Sequence, residues 1–175
     1  MAEKAQGKRA VMIIASSGYQ DLEYSIPRKI LEEGGVEVKV ASSSLDEADG
    51  VLGGKITPDL LVSEVDPKNF DAVIFVGGPG ASEYYTDEDA LELVREAKSL
   101  KKILAAICIA PVTLARAGVL RGIKATCWSS SARSLRRGGA RYTGRQVEVS
   151  GKIITANGPP AAEAFGKAIL KALSE

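Results

Sequence analysis

Four short apolar runs constrain this chain more than any other feature: VMIIA (Val11 to Ala15), DAVIFV (Asp71 to Val76), ILAAI (Ile103 to Ile107) and IITA (Ile153 to Ala156). Each is too short for a buried helix and apolar on both faces. That pattern belongs to central strands of a parallel sheet covered on both sides. Helical spacing fills the intervals. Leu22, Ile26, Ile30 and Leu31 recur at a helical period that stops at Gly34-Gly35, and Pro27 inside it predicts a kink or a restart. Thr86 to Asp89 opens a second helix whose apolar face is Leu91, Val94, Ala97 and Leu100. Further helices are expected at Thr113 to Ala117, within SSSARSLRRGG, and from Pro159 to Leu173. Further strands are expected at Val36 to Ala41, Lys124 to Trp128, Ala140 to Thr143 and Gln146 to Ser150. Gly53-Gly54 reads as a hairpin turn between Val51 and Ile56, and Asp59 to Val65 as an edge segment. Alternation of this kind implies an α/β fold with a mostly parallel sheet. The chain of 175 residues suits one domain over residues 9–175, preceded by a flexible polar tail at 1–8.

Composition removes several functions. The net charge is +1, and the local cluster of Arg133, Arg136, Arg137, Arg141 and Arg145 lacks interleaved aromatics. It reads as a solvated face, so no nucleic-acid partner is expected. Two cysteines and no histidine leave neither a disulfide framework nor a zinc site. No metal and no cofactor is expected. No run approaches the apolar length of a membrane span, and the charged N-terminus lacks the core of a signal peptide. A cytoplasmic protein without membrane contact is the expectation.

Chemistry concentrates in KKILAAICIAPV, Lys101 to Val112. A strand ends abruptly at Cys108, and a helix follows Pro111. A nucleophile elbow needs small neighbours two residues either side, and Ala106 and Ala110 supply them. The alternative is a buried structural cysteine. In a parallel sheet, ligands sit outside the carboxyl ends of the strands. Three features converge there: the loop after the first strand with Tyr19, Asp21 and Glu23; the Gly77 to Gly80 loop; and Cys108. A helix N-terminus would lower the thiol pKa. Gly78 and Ile109 can donate main-chain hydrogen bonds to a developing oxyanion, or the glycines form a plain turn. Glu23 is either an exposed carboxylate at a helix N-terminus or a buried carboxyl beside the thiol.

Taken together, DLEYSIPRKILEEGGVEVKVAS, DAVIFVGGPGA, AAICIAPVTLARAGVLRG with KATCW, and IITANGPPAAEAFGKAIL resemble the ThiJ/PfpI superfamily over about residues 9–173. The resemblance implies a flavodoxin-like three-layer α/β sandwich, and a homodimer. It places the reactive cysteine at Cys108, its partner glutamate at Glu23 and the oxyanion donors at Gly78 and Ile109. Tyr19, Gly77 and Trp128 then line the pocket. It further implies glyoxalase- or deglycase-type chemistry on a small aldehyde such as methylglyoxal, or on a glycated group. The alternatives are a redox sensor or chaperone-like stress protein using Cys108 oxidation, and a peptidase. The chain departs from the family pattern at Ile109 and Trp128, where histidines stand in many members. Lacking histidine altogether, it has no imidazole to take the thiol proton and then protonate an amine leaving group, which disfavours peptide cleavage. Cys127 is either a packed strand cysteine or a resolving thiol, and Tyr84 and Tyr85 are candidate rim residues.

Overall fold

A computed structural model describes residues 3–175. The first half of the chain contains β1 (Arg9–Ile13), β2 (Ser17–Tyr19), α1 (Asp21–Glu33), β3 (Glu37–Ser42), β4 (Ala48–Gly50), β5 (Lys55–Ile56), β6 (Leu60–Leu61), β7 (Ala72–Phe75) and α2 (Glu88–Ser99). The second half adds β8 (Ile103–Ile107), α3 (Pro111–Arg116), β9 (Lys124–Ala125), α4 (Ala132–Arg137), β10 (Arg141–Tyr142), β11 (Val147–Ser150), β12 (Ile153–Ala156) and α5 (Ala162–Ser174). A seven-stranded sheet runs β11-β12-β8-β7-β1-β3-β6, parallel except for β11. One face packs on α1 and α5, the other on α2, α3 and α4, which gives two cores separated by the sheet. This is the flavodoxin-like sandwich expected. The apolar runs are its four central strands, and every residue of β7, β8 and β12 is buried.

Topology locates the site. From β1 the chain moves outward to β3 and β6, then returns to β1's other side for β7, β8 and β12. The direction reverses between β1 and β7, so a crevice opens at their carboxyl ends.

Some local readings change. Pro27 does not divide α1, which is continuous from Asp21 to Glu33, so no restart occurs there. The proline faces α5, where Gly166 leaves room: a Cβ there would lie 2.9 Å from Pro27 Cα and 3.0 Å from Ile30 Cδ1. Gly166→Ala is therefore expected to destabilise the fold by about 1–3 kcal/mol through overpacking. That outweighs the helix-propensity gain of about 1 kcal/mol. Urea unfolding measures it, and a variant as stable as the parent would show that the contact yields freely. The strand expected at Lys124 to Trp128 stops at Ala125. Beyond it the Thr126 amide donates to the Thr155 side chain, and the Trp128 amide to the Cys108 carbonyl. The edge segment is a two-residue strand followed by a 3-10 turn at Val62–Glu64. Of the segment read as a tail, residues 1 and 2 lie outside the described residues. Ala5 is buried, and its amide donates to Gly34 O at 2.8 Å.

Candidate functional site

Cys108 is the last residue before the chain turns from β8 towards α3. Its φ is 66°, a left-handed conformation rare for a side chain with a Cβ. Two backbone hydrogen bonds hold it there. Its amide donates to Ala156 O on β12 at 3.0 Å, and its carbonyl accepts from the Trp128 amide at 2.8 Å. Such a conformation costs about 1–3 kcal/mol and persists only where the surroundings over-determine it.

Glu23 faces the thiol from α1. Gln20, the residue before α1, caps the helix with its side chain, Oε1 accepting from the Leu22 amide at 2.7 Å and the Glu23 amide at 3.0 Å. The Gln20 backbone amide donates to Gly77 O at 2.9 Å. One residue thus fixes the start of α1 and ties it to the glycine loop after β7. Glutamine is not a favoured capping residue, so nothing in the sequence signalled this role.

Gly77 lies between the two reactive groups. A Cβ on it would overlap Glu23 Oε1 and stand 2.5 Å from Cys108 Cβ. No larger residue fits while Glu23 and Cys108 keep their places. Gly78 has φ 106°, and a Cβ there would meet the backbone of Gly18 and Gln20. Its amide and that of Ile109 lie near enough to the Cys108 sulfur to favour a thiolate there.

Glu23 is fully buried, and neither of its oxygens has a hydrogen-bond partner among the described residues. Burial pushes its carboxyl up to about 7; the nearby Cys108 thiol and Gly77 backbone pull it partly back. The exposed-carboxylate alternative is excluded by this position. For Cys108 the expected lowering by a helix N-terminus is overturned. Burial and the facing Glu23 carboxylate push the thiol up to about 12, against the opposing pull of the Gly78 and Ile109 amides. The helix begins only at Pro111 and has six residues, and the thiol is screened from water, so desolvation prevails. At neutral pH the resting pair is a thiol beside a carboxyl near half-ionisation.

The other expected residues are dispersed around this centre. Tyr19 is buried edge-on to Tyr24 at 6.0 Å between ring centroids, with its hydroxyl beside Gly54. Trp128 is 45% exposed and packs its ring on Gly158. With Ser129, Tyr142, Gln146, Asn157 and Pro160 it lines a cleft of about 390 Å³ whose wall also includes Cys127. Tyr84 belongs to the core, its hydroxyl donating to Ile14 O at 2.7 Å. Tyr85 reaches the elbow, donating to Ile109 O at 3.3 Å. Burial, then the proximity of Cys108 and Cys127, pushes its hydroxyl up to about 12. Cys127 is completely buried, and burial pushes its thiol up to about 12 as well. Among the described residues no group of three or more His, Cys, Asp or Glu stands ready to hold a metal, and no helix is long and apolar enough to cross a membrane.

Fold and site together define a flavodoxin-like α/β protein with a cysteine on a strained strand-to-helix turn and a carboxyl buried beside it. The chain belongs to the DJ-1/PfpI family, whose model matches residues 8–172. It is 38% identical to an uncharacterized protein, MJ0967, of Methanocaldococcus jannaschii, over 99% of this chain and 86% of that one. It is 31% identical to the deglycase TK1284 of Thermococcus kodakarensis, over 93% of this chain and 98% of that one. Among solved structures, a ThiJ/PfpI domain protein from Brachyspira murdochii superposes with a TM-score of 0.93 at 38% identity, covering 95% of this chain and 98% of that one.

Proposed function

We propose that this protein converts small 2-oxoaldehydes such as methylglyoxal, or their early adducts on protein groups, to hydroxy acids, with Cys108 as nucleophile and Glu23 as proton shuttle. The observation that carries the reading is the unpartnered, fully buried Glu23 beside the thiol, with its pKa near 7. A group with that pKa both accepts and returns a proton at neutral pH. The name of the Thermococcus relative points to the same chemistry.

The steps balance as follows. The Cys108 sulfur adds to the aldehyde carbon while Glu23 takes the thiol proton. The aldehyde oxygen turns towards the Gly78 and Ile109 amides and receives that proton, giving a hemithioacetal. Glu23 then removes the hydrogen from the same carbon as the neighbouring carbonyl oxygen gains a proton, giving an enediol, and returns it to the neighbouring carbon as the first hydroxyl gives up its proton. The product is a thioester of the hydroxy acid. Water, activated by Glu23, cleaves it and restores the thiol. Methylglyoxal plus water gives lactate, with no external oxidant or reductant.

Peptide cleavage stays disfavoured for want of any histidine. The homodimer implied by the resemblance belongs to the same reading. Leu22, Val51 and Leu52 are exposed apolar residues at one end, where Asp21 accepts the Leu52 amide at 2.7 Å.

The assay is to incubate the protein with methylglyoxal at pH 7 and quantify D- and L-lactate enzymatically. Stoichiometric excess of one lactate enantiomer over protein is expected. Loss of methylglyoxal without lactate would reduce the chemistry to adduct formation and remove the proposal.

A further inference from the structure

Charge is strongly segregated along this near-neutral chain. Residues 97–147 contain eleven Lys and Arg and no Asp or Glu. All 22 acidic residues and twelve of the 23 basic ones lie elsewhere, so the remainder carries −10 against an overall +1. In the fold the acid-free stretch supplies β8, the α3–α4 layer on one face of the sheet, and the β9–β10 pair.

Within that layer, Arg116, Arg121, Ser134 and Arg137 line one cleft of about 300 Å³ between the carboxyl ends of α3 and α4. None of the three arginines forms an ion pair among the described residues. The helix dipole explains a cation in the last turn of each helix, hence Arg116 and Arg137. It does not explain Arg121, which lies in the connection after α3 and adds a third positive charge to the same cleft. No carboxylate of the described residues pairs with these three arginines; the helix carboxyl ends and the Tyr85 ring, 5.7 Å from Arg116 Cζ, offset their charge only in part.

We propose that this cleft binds a small phosphate-bearing ligand, a phosphate monoester or a diphosphate. Guanidinium forks match phosphate oxygens in bidentate geometry, and two or three of them balance a group of charge about −2 to −3. The Ser134 hydroxyl adds a neutral donor at the same wall. The volume lies at the lower end of ligand pockets, room for a phosphoryl group and a few further atoms. The positive field of the surrounding stretch draws anions towards it. A nucleic-acid strand fits less well, because no aromatic platform for bases lies in the cleft.

Calorimetric titration of the full chain with sodium pyrophosphate, at constant ionic strength, tests the assignment. Saturable one-to-one binding is expected, weakened at least tenfold in Arg121→Ala and in Arg137→Ala. Arg137→Lys keeps the charge without the fork and should fall between. Arg141→Ala removes the same charge from the same stretch but outside the cleft, and should bind within about twofold of the parent. Thermal melts confirm that each variant is folded. Equal weakening by Arg141→Ala would mean diffuse electrostatics and overturn the proposal. So would the lack of saturation by about 10 mM. Tighter binding of an oligonucleotide, with a salt dependence indicating several phosphate contacts, would overturn it in favour of a polymer surface.

Discussion

Cys108→Ser is expected to lower lactate formation from methylglyoxal by roughly three orders of magnitude or more, the scale on which enzymes lose a covalent nucleophile. The hydroxyl has the same reach from the same turn, so geometry is preserved. What is lost is nucleophilicity: a hydroxyl adds poorly to a carbonyl without a strong base, and Glu23 with a pKa near 7 is not one. The left-handed backbone at residue 108 is unchanged by the substitution, and stability should stay within about 1 kcal/mol. Rates and thermal melts on the same preparations separate the two effects. Residual turnover within tenfold of the parent would mean that the sulfur is not the attacking atom.

Glu23→Gln should also abolish turnover, and it carries a second consequence of opposite sign. A carboxyl whose pKa rises from 4.5 to about 7 on folding binds its proton more tightly in the native state. The native state therefore loses stability as pH rises from about 4.5 through 7, and the loss levels off above that. The shift corresponds to about 3 kcal/mol at pH 8, the cost of ionising a desolvated group. Glutamine matches the protonated acid in shape and never ionises. The variant should melt close to the parent at pH 4.5 and about 6–12 °C above it at pH 8, on the usual scaling for a domain of this size. Other titrating groups are common to both proteins, so the difference between their curves isolates residue 23. Parallel curves across that range would mean that Glu23 ionises in the folded protein as easily as in water. An inactive and more stable variant is the signature of a group retained for chemistry at a cost in stability.

The sheet was legible in the sequence because its central strands are apolar on both faces, so local pattern and tertiary environment agree. Helix ends were legible for the same reason: Asp87 caps α2, accepting from the Ala90 amide, as its acidic first turn suggested. The short strand β2 and the 3-10 turn at Pro79–Tyr84 were not foreseen. They exist through long-range bonds, such as the Asp49 amide to Ser16 O, which leave no periodic trace. Cys108, Glu23, Gly77, Gly78 and Ile109 were named from the motifs, and the structure brings these five together. Tyr19 was named with them, but its hydroxyl turns towards Gly54. The sign of the Cys108 shift was misjudged because helix dipoles are visible in a sequence and desolvation is not. Pro27 suggested a restart that does not occur, because the glycine that makes room for it stands 139 positions later in the chain, at Gly166.

The two backbone bonds of Cys108, to Ala156 and from Trp128, make the reactive turn a rung of the molecule's central ladder. Its opening free energy is then that of the sheet itself, so amide exchange at Cys108 should follow global unfolding. A nucleophile mounted this way cannot swing out to meet a substrate. Admission and release fall to the side chains around it, and of these the half-exposed indole of Trp128 has the freedom to move.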